Sequence, residues 1–475
     1  MLAFFIGMLL FIVLTLITSA WLLFKESKKE KRFELKAVAI IGSLALLYMF
    51  IMPAHSAPDE TAHYGQSYAL SNRLMFKEAT DEQGFIYMRK EDTKIVLNER
   101  IGRNDYHQQV MNFFSLSSDN EMVVSEHTGV DTFVFAHLPQ AVGITIGRLL
   151  NLGQLSTVFL GRLCNLLFYL LLLYFALKWM PFAKHVFIII GMLPIMLEVV
   201  SSYSYDASVL GLSFFFTAYV LHLAYIKEKV TWKDAVILIA VISYLAPIKV
   251  IYALLAFLCF LIPKKKFGKT RNYIACICGM VICVSLFILL AQVDRFSAYV
   301  NETNTQLGYV EGEGYTLSYL ITHPKEVVML VLNTIHIHGG IELLQLLGQQ
   351  LGWLEIQLNM LIPFSFAGLL MLSTIKKEGE PIYFRTSDKI ISIAIIISVA
   401  FLALFTMMLA WTPDTSLFVQ GVQGRYYIPV LPLLLLLLRN QNITVKKPIY
   451  PKLIFSAVLL NAWALINVME IVLSR

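Results

Sequence analysis

The feature that most limits what this chain can fold into is a succession of apolar runs, with short turns rich in Lys and Arg between many of them. The runs cover residues 2–24, 38–53, 157–180, 185–201, 207–225, 274–290, 358–375, 390–409, 428–438 and 453–473. Many approach the roughly 20 residues that a helix needs to cross a bilayer. Inside lipid every backbone polar group must be satisfied within the segment, so such runs predict helices. The chain is 57% hydrophobic and only 15% charged, which excludes a soluble globular domain. The net charge of +6 is no nucleic-acid signature, because most of the cations lie in the turns, where they set orientation. Cys164, Cys259, Cys276, Cys278 and Cys283 all fall inside apolar runs and read as small packing residues.

The basic turns predict a topology. Lys25, Lys28, Lys29, Lys31, Arg32 and Lys36 follow the first run instead of preceding it. That order fits a retained span with its N-terminal end outside, not a cleaved signal peptide. Residues 38–53 then return outward. The stretch 235–262 is too long for one ordinary span and is broken at Ala246-Pro247-Ile248-Lys249. Lys227, Lys229 and Lys233 precede it; Lys264, Lys265, Lys266, Lys269 and Arg271 follow it. Both flanks are therefore expected inside, and the stretch reads as a hairpin of two short helices tipped by Lys249. The expectation is an all-α polytopic membrane protein of about twelve spans with the basic turns on one side. Residues 1–36 form an additional span and a basic cytoplasmic loop, and 37–475 one membrane domain. Its outer loops are 54–156, 292–357 and 411–426. Within the first, residues 131–152 are too interrupted for a span and suit an interfacial or re-entrant helix.

Ionisable residues gather at the outer ends of these spans. The sharpest cluster is Pro58-Asp59-Glu60-Thr61-Ala62-His63, two adjacent carboxylates with an imidazole one helical turn after the first. A capping role accounts for it equally well, since acids belong in a first helical turn. His137, Asp206, Lys249, His323, His336, Glu355 and Arg425 fall on the same side. Each also has a structural explanation. Asp206 suits a helix N-cap, Lys249 a snorkelling anchor, and Arg425 with Tyr426 an interfacial anchor. His336 and His338, two residues apart, do not share a helix face and make a poor metal pair. Gly421 and Gly424 around Gln423 allow close approach of a ligand to the backbone, and an Arg beside them suits a phosphate. Glu198 and Arg162 are the nearest candidates for charge within the membrane, too few for a proton relay through the spans.

Taken together, several motifs resemble one family. They are Pro58-Asp59-Glu60-x-x-His63 after an early span, Tyr205-Asp206 at a span start, and Lys249 in the hairpin. Leu351-Gly352-Trp353-Leu354 and Gln423-Gly424-Arg425-Tyr426 complete the set. This pattern resembles the bacterial membrane proteins catalogued as domain of unknown function 2142, over about residues 37–473. That family is similar to the membrane glycosyltransferases of the C-type fold (GT-C), which use a polyprenyl-phosphate sugar and carry an essential acid in the first large outer loop. The resemblance implies that Asp59, with Glu60 beside it, occupies that position.

Sugar transfer from a lipid phosphate needs a base for the acceptor hydroxyl and cations for the leaving phosphate. Asp59 or Glu60 can be the base, with His63 alongside. Arg425, Lys249 and Tyr426 can hold the donor phosphate, and His137, Asp206, Trp353 and Gln423 are further site candidates. A single displacement inverts the anomeric carbon. There is no Asp-x-Asp pair, so no metal or other cofactor is assigned. The expected partners are a polyprenyl-phosphate-linked sugar, a cell-envelope glycan acceptor and the lipid bilayer, with no nucleic acid. The expected location is the bacterial plasma membrane, with the active site on the extracytoplasmic face. Two other classes stay open: a transporter or flippase of lipid-linked glycans, and a non-catalytic partner in cell-wall polysaccharide assembly.

Overall fold

The computed structural model describes residues 2–25, 32–93, 100–128, 133–300, 313–379, 384–439, 442–446 and 449–475. The basic residues Lys28, Lys29 and Lys31, and the start of the 131–152 stretch, lie outside the described residues.

The chain runs through α1 (Leu2–Phe24), α2 (Phe33–Ile51), α3 (Glu60–Leu74), β1 (Phe85–Arg89), α4 (Arg103–Asn112), β2 (Met122–Thr128), α5 (Leu138–Leu149) and α6 (Gln154–Trp179). Then come α7 (Lys184–Gly191), α8 (Pro194–Val200), α9 (Asp206–Tyr225), α10 (Trp232–Ile248), α11 (Thr270–Val300), α12 (Leu317–Thr322) and α13 (Pro324–Leu346). After these follow β3 (Gln350–Leu351), β4 (Ile356–Gln357), α14 (Leu361–Ser373), β5 (Lys376–Lys377), α15 (Thr386–Ala410), α16 (Leu431–Leu438), β6 (Thr444–Val445) and α17 (Tyr450–Leu473). Among the described residues, eight helices are long and apolar enough to cross a membrane: α1, α2, α6, α9, α11, α13, α15 and α17. This is a polytopic membrane protein. Its outward apolar side chains are those of a lipid-facing surface: Val281, Ile282, Leu286 and Leu290 of α11 are all exposed.

Several expectations need correction. The protein is not purely helical: three two-stranded sheets pair β1 with β2, β3 with β4, and β5 with β6. The first of these gives the long first loop a hydrogen-bonded backbone that the periodicity of the spans did not signal. The stretch 185–201 is two short helices, because Pro194 has no N–H to continue α7. The carbonyl of Met192 at that break accepts from the Asn461 amide, at 2.8 Å. Gly348 fits against it; a Cβ there would come within 2.8 Å of Pro194 and Ile195. The stretch 292–357 is not all loop, since α13 lies within it. Conversely α14, at 13 residues, reaches only about 20 Å, short of the roughly 30 Å core.

The chain divides into two compact units. The first comprises Met1–Phe215, Gly348–Glu380 and Asn442–Arg475. Here α1 is an integral helix: Phe24 packs on Phe455 of α17, and Phe5 on Tyr106 of α4. The first loop is ordered around Tyr64 and Tyr68 of α3, which bury against Ile86 and Met88 of β1, Ile144 of α5 and Val158 of α6. Close contact of α5 with α6 depends on Gly143, where a Cβ would lie 2.3 Å from the Leu160 carbonyl oxygen.

The second unit comprises Phe216–Leu347 and Pro381–Gln441. In it α10 ends at Ile248, one residue past Pro247, and Lys249 is extended. A 3-10 segment, Val250–Leu261, then begins, so the chain does break where the hairpin was expected. A second 3-10 segment, Gly424–Val430, leads into α16.

Candidate functional site

In the first unit the site residues collect where α2 ends and α3 begins. Asp59 precedes α3 with a left-handed backbone, φ 60°, and its side chain makes no capping bond. That conformation is uncommon outside glycine and tolerated best by Asn and Asp. The capping role weighed for Asp59 is thus not the one observed. The Asp59 side chain is exposed, while Glu60 is fully buried.

Glu60 makes the local bonds instead. Its Oε1 accepts from Arg162 Nε at 2.7 Å and from the Tyr203 N–H at 3.0 Å. Its Oε2 accepts from Arg162 Nη2 at 2.6 Å and from the Ala57 N–H at 3.2 Å. Burial by itself raises the Glu60 pKa, but the Arg162 charge and these donors outweigh it and hold the carboxyl below its ordinary value. Arg162, from α6, also donates to the carbonyls of Met52 at 2.9 Å and Pro53 at 2.8 Å. A carboxylate so engaged is a poor proton acceptor, which argues against Glu60 as a base.

One turn into α3, His63 Nδ1 lies 3.1 Å from His137 Nε2. Both rings meet Tyr205 edge-on, with centroids 4.8 and 5.5 Å away. Burial, and then the neighbouring His63, keep the His137 pKa well below its ordinary value, which favours its neutral ring. His55, in the same turn and also left-handed at φ 63°, is buried against Tyr64. Burial lowers its pKa to about 4.

Asp206 opens α9, as a helix start, with its N–H on Ser204 Oγ at 3.2 Å. Trp353 sits at the tip of the β3–β4 hairpin, whose turn needs positive φ at Gly352 and Leu354. The Gly352 N–H donates to Glu198 at 2.6 Å, and a Cβ on Gly352 would lie 3.6 Å from the Ser56 carbonyl oxygen. The Trp353 hairpin therefore borders the turn that carries Asp59. Glu355 is tied to Arg475, and its Oε1 accepts from the Ile101 N–H at 3.2 Å.

In the second unit the structure brings together Lys249, Arg425 and Tyr426. Lys249 Nζ is 4.5 Å and Arg425 Cζ 5.8 Å from the centre of the Tyr426 ring, both within cation–π range. The Tyr426 carbonyl accepts from Tyr252 at 2.8 Å, and Tyr427 donates to Glu342 at 3.0 Å. Gln423 precedes this 3-10 turn. The two glycines beside it have structural tasks. A Cβ on Gly421 would meet Trp411 at 2.9 Å, and one on Gly424 would meet the α13 backbone at 2.2 Å. They admit neighbouring protein, not a ligand. His336 and His338 lie on α13, with His338 packed on Phe418.

The residues that sequence reasoning left out of the site are Arg162, His55, Tyr203 and Tyr205. Arg162 had a readable signal, an arginine inside an apolar run, which implies a buried partner. Tyr205 stood beside Asp206 in the Tyr205-Asp206 motif, whereas nothing local marked His55 or Tyr203, whose N–H reaches Glu60 from 143 positions away.

No curated protein and no solved structure matches this chain. A family model described as "Predicted membrane protein (DUF2142)" matches residues 43–434, most of the chain, and the chain belongs to that family.

Proposed function

We propose that this protein is a membrane glycosyltransferase of GT-C-like fold with about twelve spans, counting broken and short apolar segments as spans. It acts at the extracytoplasmic face of a bacterial plasma membrane. The reaction moves a sugar from a polyprenyl-phosphate donor to a hydroxyl of a cell-envelope glycan or glycolipid. The observation that carries this reading is the contrast in burial between the adjacent acids: Glu60 is fully buried against Arg162, whereas Asp59 is exposed.

In this reading Asp59 takes the proton of the acceptor hydroxyl. The freed oxygen attacks the anomeric carbon as its bond to the phosphate oxygen breaks, and configuration inverts. The polyprenyl phosphate leaves with the electron pair of that bond and needs positive charge to stabilise it. His63, braced by His137, borders the acid. The family resemblance supplies the reaction class, which is analogy at the level of fold and one acid.

Asp59→Asn tests it, because Asn keeps the size and tolerates the left-handed backbone but cannot accept the proton. Glycan product in cells lacking the wild-type gene should fall by about 10²–10⁴-fold at unchanged protein abundance. Normal product from both Asp59→Asn and Glu60→Gln, at normal abundance, removes the proposal.

A further inference from the structure

We infer that Arg162 and Glu60 form a positioning device for Asp59, a role that rests on the function proposed above. One guanidinium closes the whole turn between α2 and α3. It binds the carbonyls of Met52 and Pro53 on one side of Asp59 and the Glu60 carboxylate on the other. Glu60 in turn takes the N–H groups of Ala57 and Tyr203. The turn between these anchors contains two left-handed non-glycine residues, His55 and Asp59. Such conformations persist where the surroundings over-determine them, and here the surroundings are the bonds of Arg162 and Glu60. The device holds the Asp59 side chain outward while its neighbour stays buried.

The bond pattern separates this role from that of a plain ion pair. A plain pair needs only opposite charges. The device needs a donor fork at position 162, because a carboxylate there cannot bond the Met52 and Pro53 carbonyls. The charge-swapped chain, Glu60→Arg with Arg162→Glu, restores the pair but not the closure of the turn. The apolar chain, Arg162→Met with Glu60→Leu, removes both without leaving a lone buried charge.

Two readouts test the inference. The first needs no activity: with the five native cysteines changed to alanine, Asp59→Cys reports the placement of position 59 through its reaction rate with an impermeant maleimide. That rate should change by about tenfold or more in the apolar or the swapped background, because thiol labelling follows exposure and the local charge that sets the thiolate fraction. The second is turnover per immunoblotted protein. At normal abundance the swapped and apolar chains should lose about 10²-fold in kcat with KM values nearly unchanged, and Arg162→Lys should keep part of it. If neither chain accumulates, the labelling and turnover of Arg162→Lys decide. Unchanged labelling together with full turnover in whichever chain accumulates overturns the inference. Changed labelling with full product from Asp59→Asn sinks the glycosyltransferase reading instead and leaves the positioning intact.

Discussion

The two charged regions of the molecule use their charges in different ways. In the first unit Arg162 and Glu60 are almost fully buried, 2% and 0% exposed at the side chain, and neutralise each other through two short bonds. Backbone groups take up the remaining donors and acceptors. In the second unit Lys249 and Arg425 carry the same sign and flank one ring, that of Tyr426. Two cations about one aromatic ring concentrate positive potential, a condition for holding an anion. The comparison teaches that charge density alone does not mark a working residue. What separates the regions is the neighbour each charge meets: a carboxylate faces the guanidinium in the first, whereas two like charges share one ring in the second.

Removing one half of the matched pair should have the largest effect. Arg162→Met leaves the Glu60 carboxylate buried with no counter-charge, at a cost of about 3–5 kcal/mol. That is a large part of the roughly 5–15 kcal/mol that keeps a typical protein folded. Folded protein recovered in detergent, read by size-exclusion chromatography, should fall sharply. Wild-type recovery would break the comparison, because it would mean that the pair is not matched charge but surplus.

Next comes pH. His55 titrates at about 4 when folded, below its ordinary 6.5, because burial disfavours the charged ring. The unfolded chain therefore binds more protons between those values, and stability falls as pH drops from 6.5 to 4, by about 3 kcal/mol in all. Glu60 acts lower. Its folded pKa is depressed, so its contribution is present above its ordinary value of 4.5 and is lost as pH falls through the lowered one. Thermal melts across this range should show the first loss shrink in His55→Asn, where Asn tolerates the left-handed backbone, with the part due to the buried His137 remaining. A wild-type melting curve flat from pH 7 to pH 4 would contradict the assignment.

In the second unit the effects should be smaller. Arg425→Ala should weaken donor use by about 1.5–3 kcal/mol, and Arg425→Lys should recover only part, lacking the planar fork. Tyr426→Leu should cost about 0.5–1 kcal/mol in the same measurement, through the lost ring face. Donor titrations that leave Arg425→Ala unchanged would return Arg425 to the role of an interface anchor.

The apolar spans were readable because the signal for them is local. The length and apolarity of residues 2–24, 157–180, 207–225 and 453–473 are enough to predict α1, α6, α9 and α17, with no knowledge of what they touch. Where the prediction departed from the structure, the deciding contact was not local. The break at Pro194 is stabilised by Asn461 and seated against Gly348. The β1–β2 pair joins segments on either side of α4. Gly424 looked like room for a ligand and is instead the point where the chain crosses α13.

By itself, then, the sequence determined a polytopic membrane protein, the place where the chain breaks at Lys249, and a short list of polar residues near the ends of its apolar runs. These follow from hydropathy, charge placement and proline chemistry, which act over one or two helical turns. Only the tertiary structure decided how the polar residues divide. Glu60 and Arg162 are 102 positions apart, and His63 and His137 are 74 apart. Asp59 and Glu60 are neighbours of the same chemistry, with the same charge at neutral pH. What makes one a buried anchor and the other an exposed acid is a guanidinium delivered by a different helix, and no local pattern around position 59 encodes it.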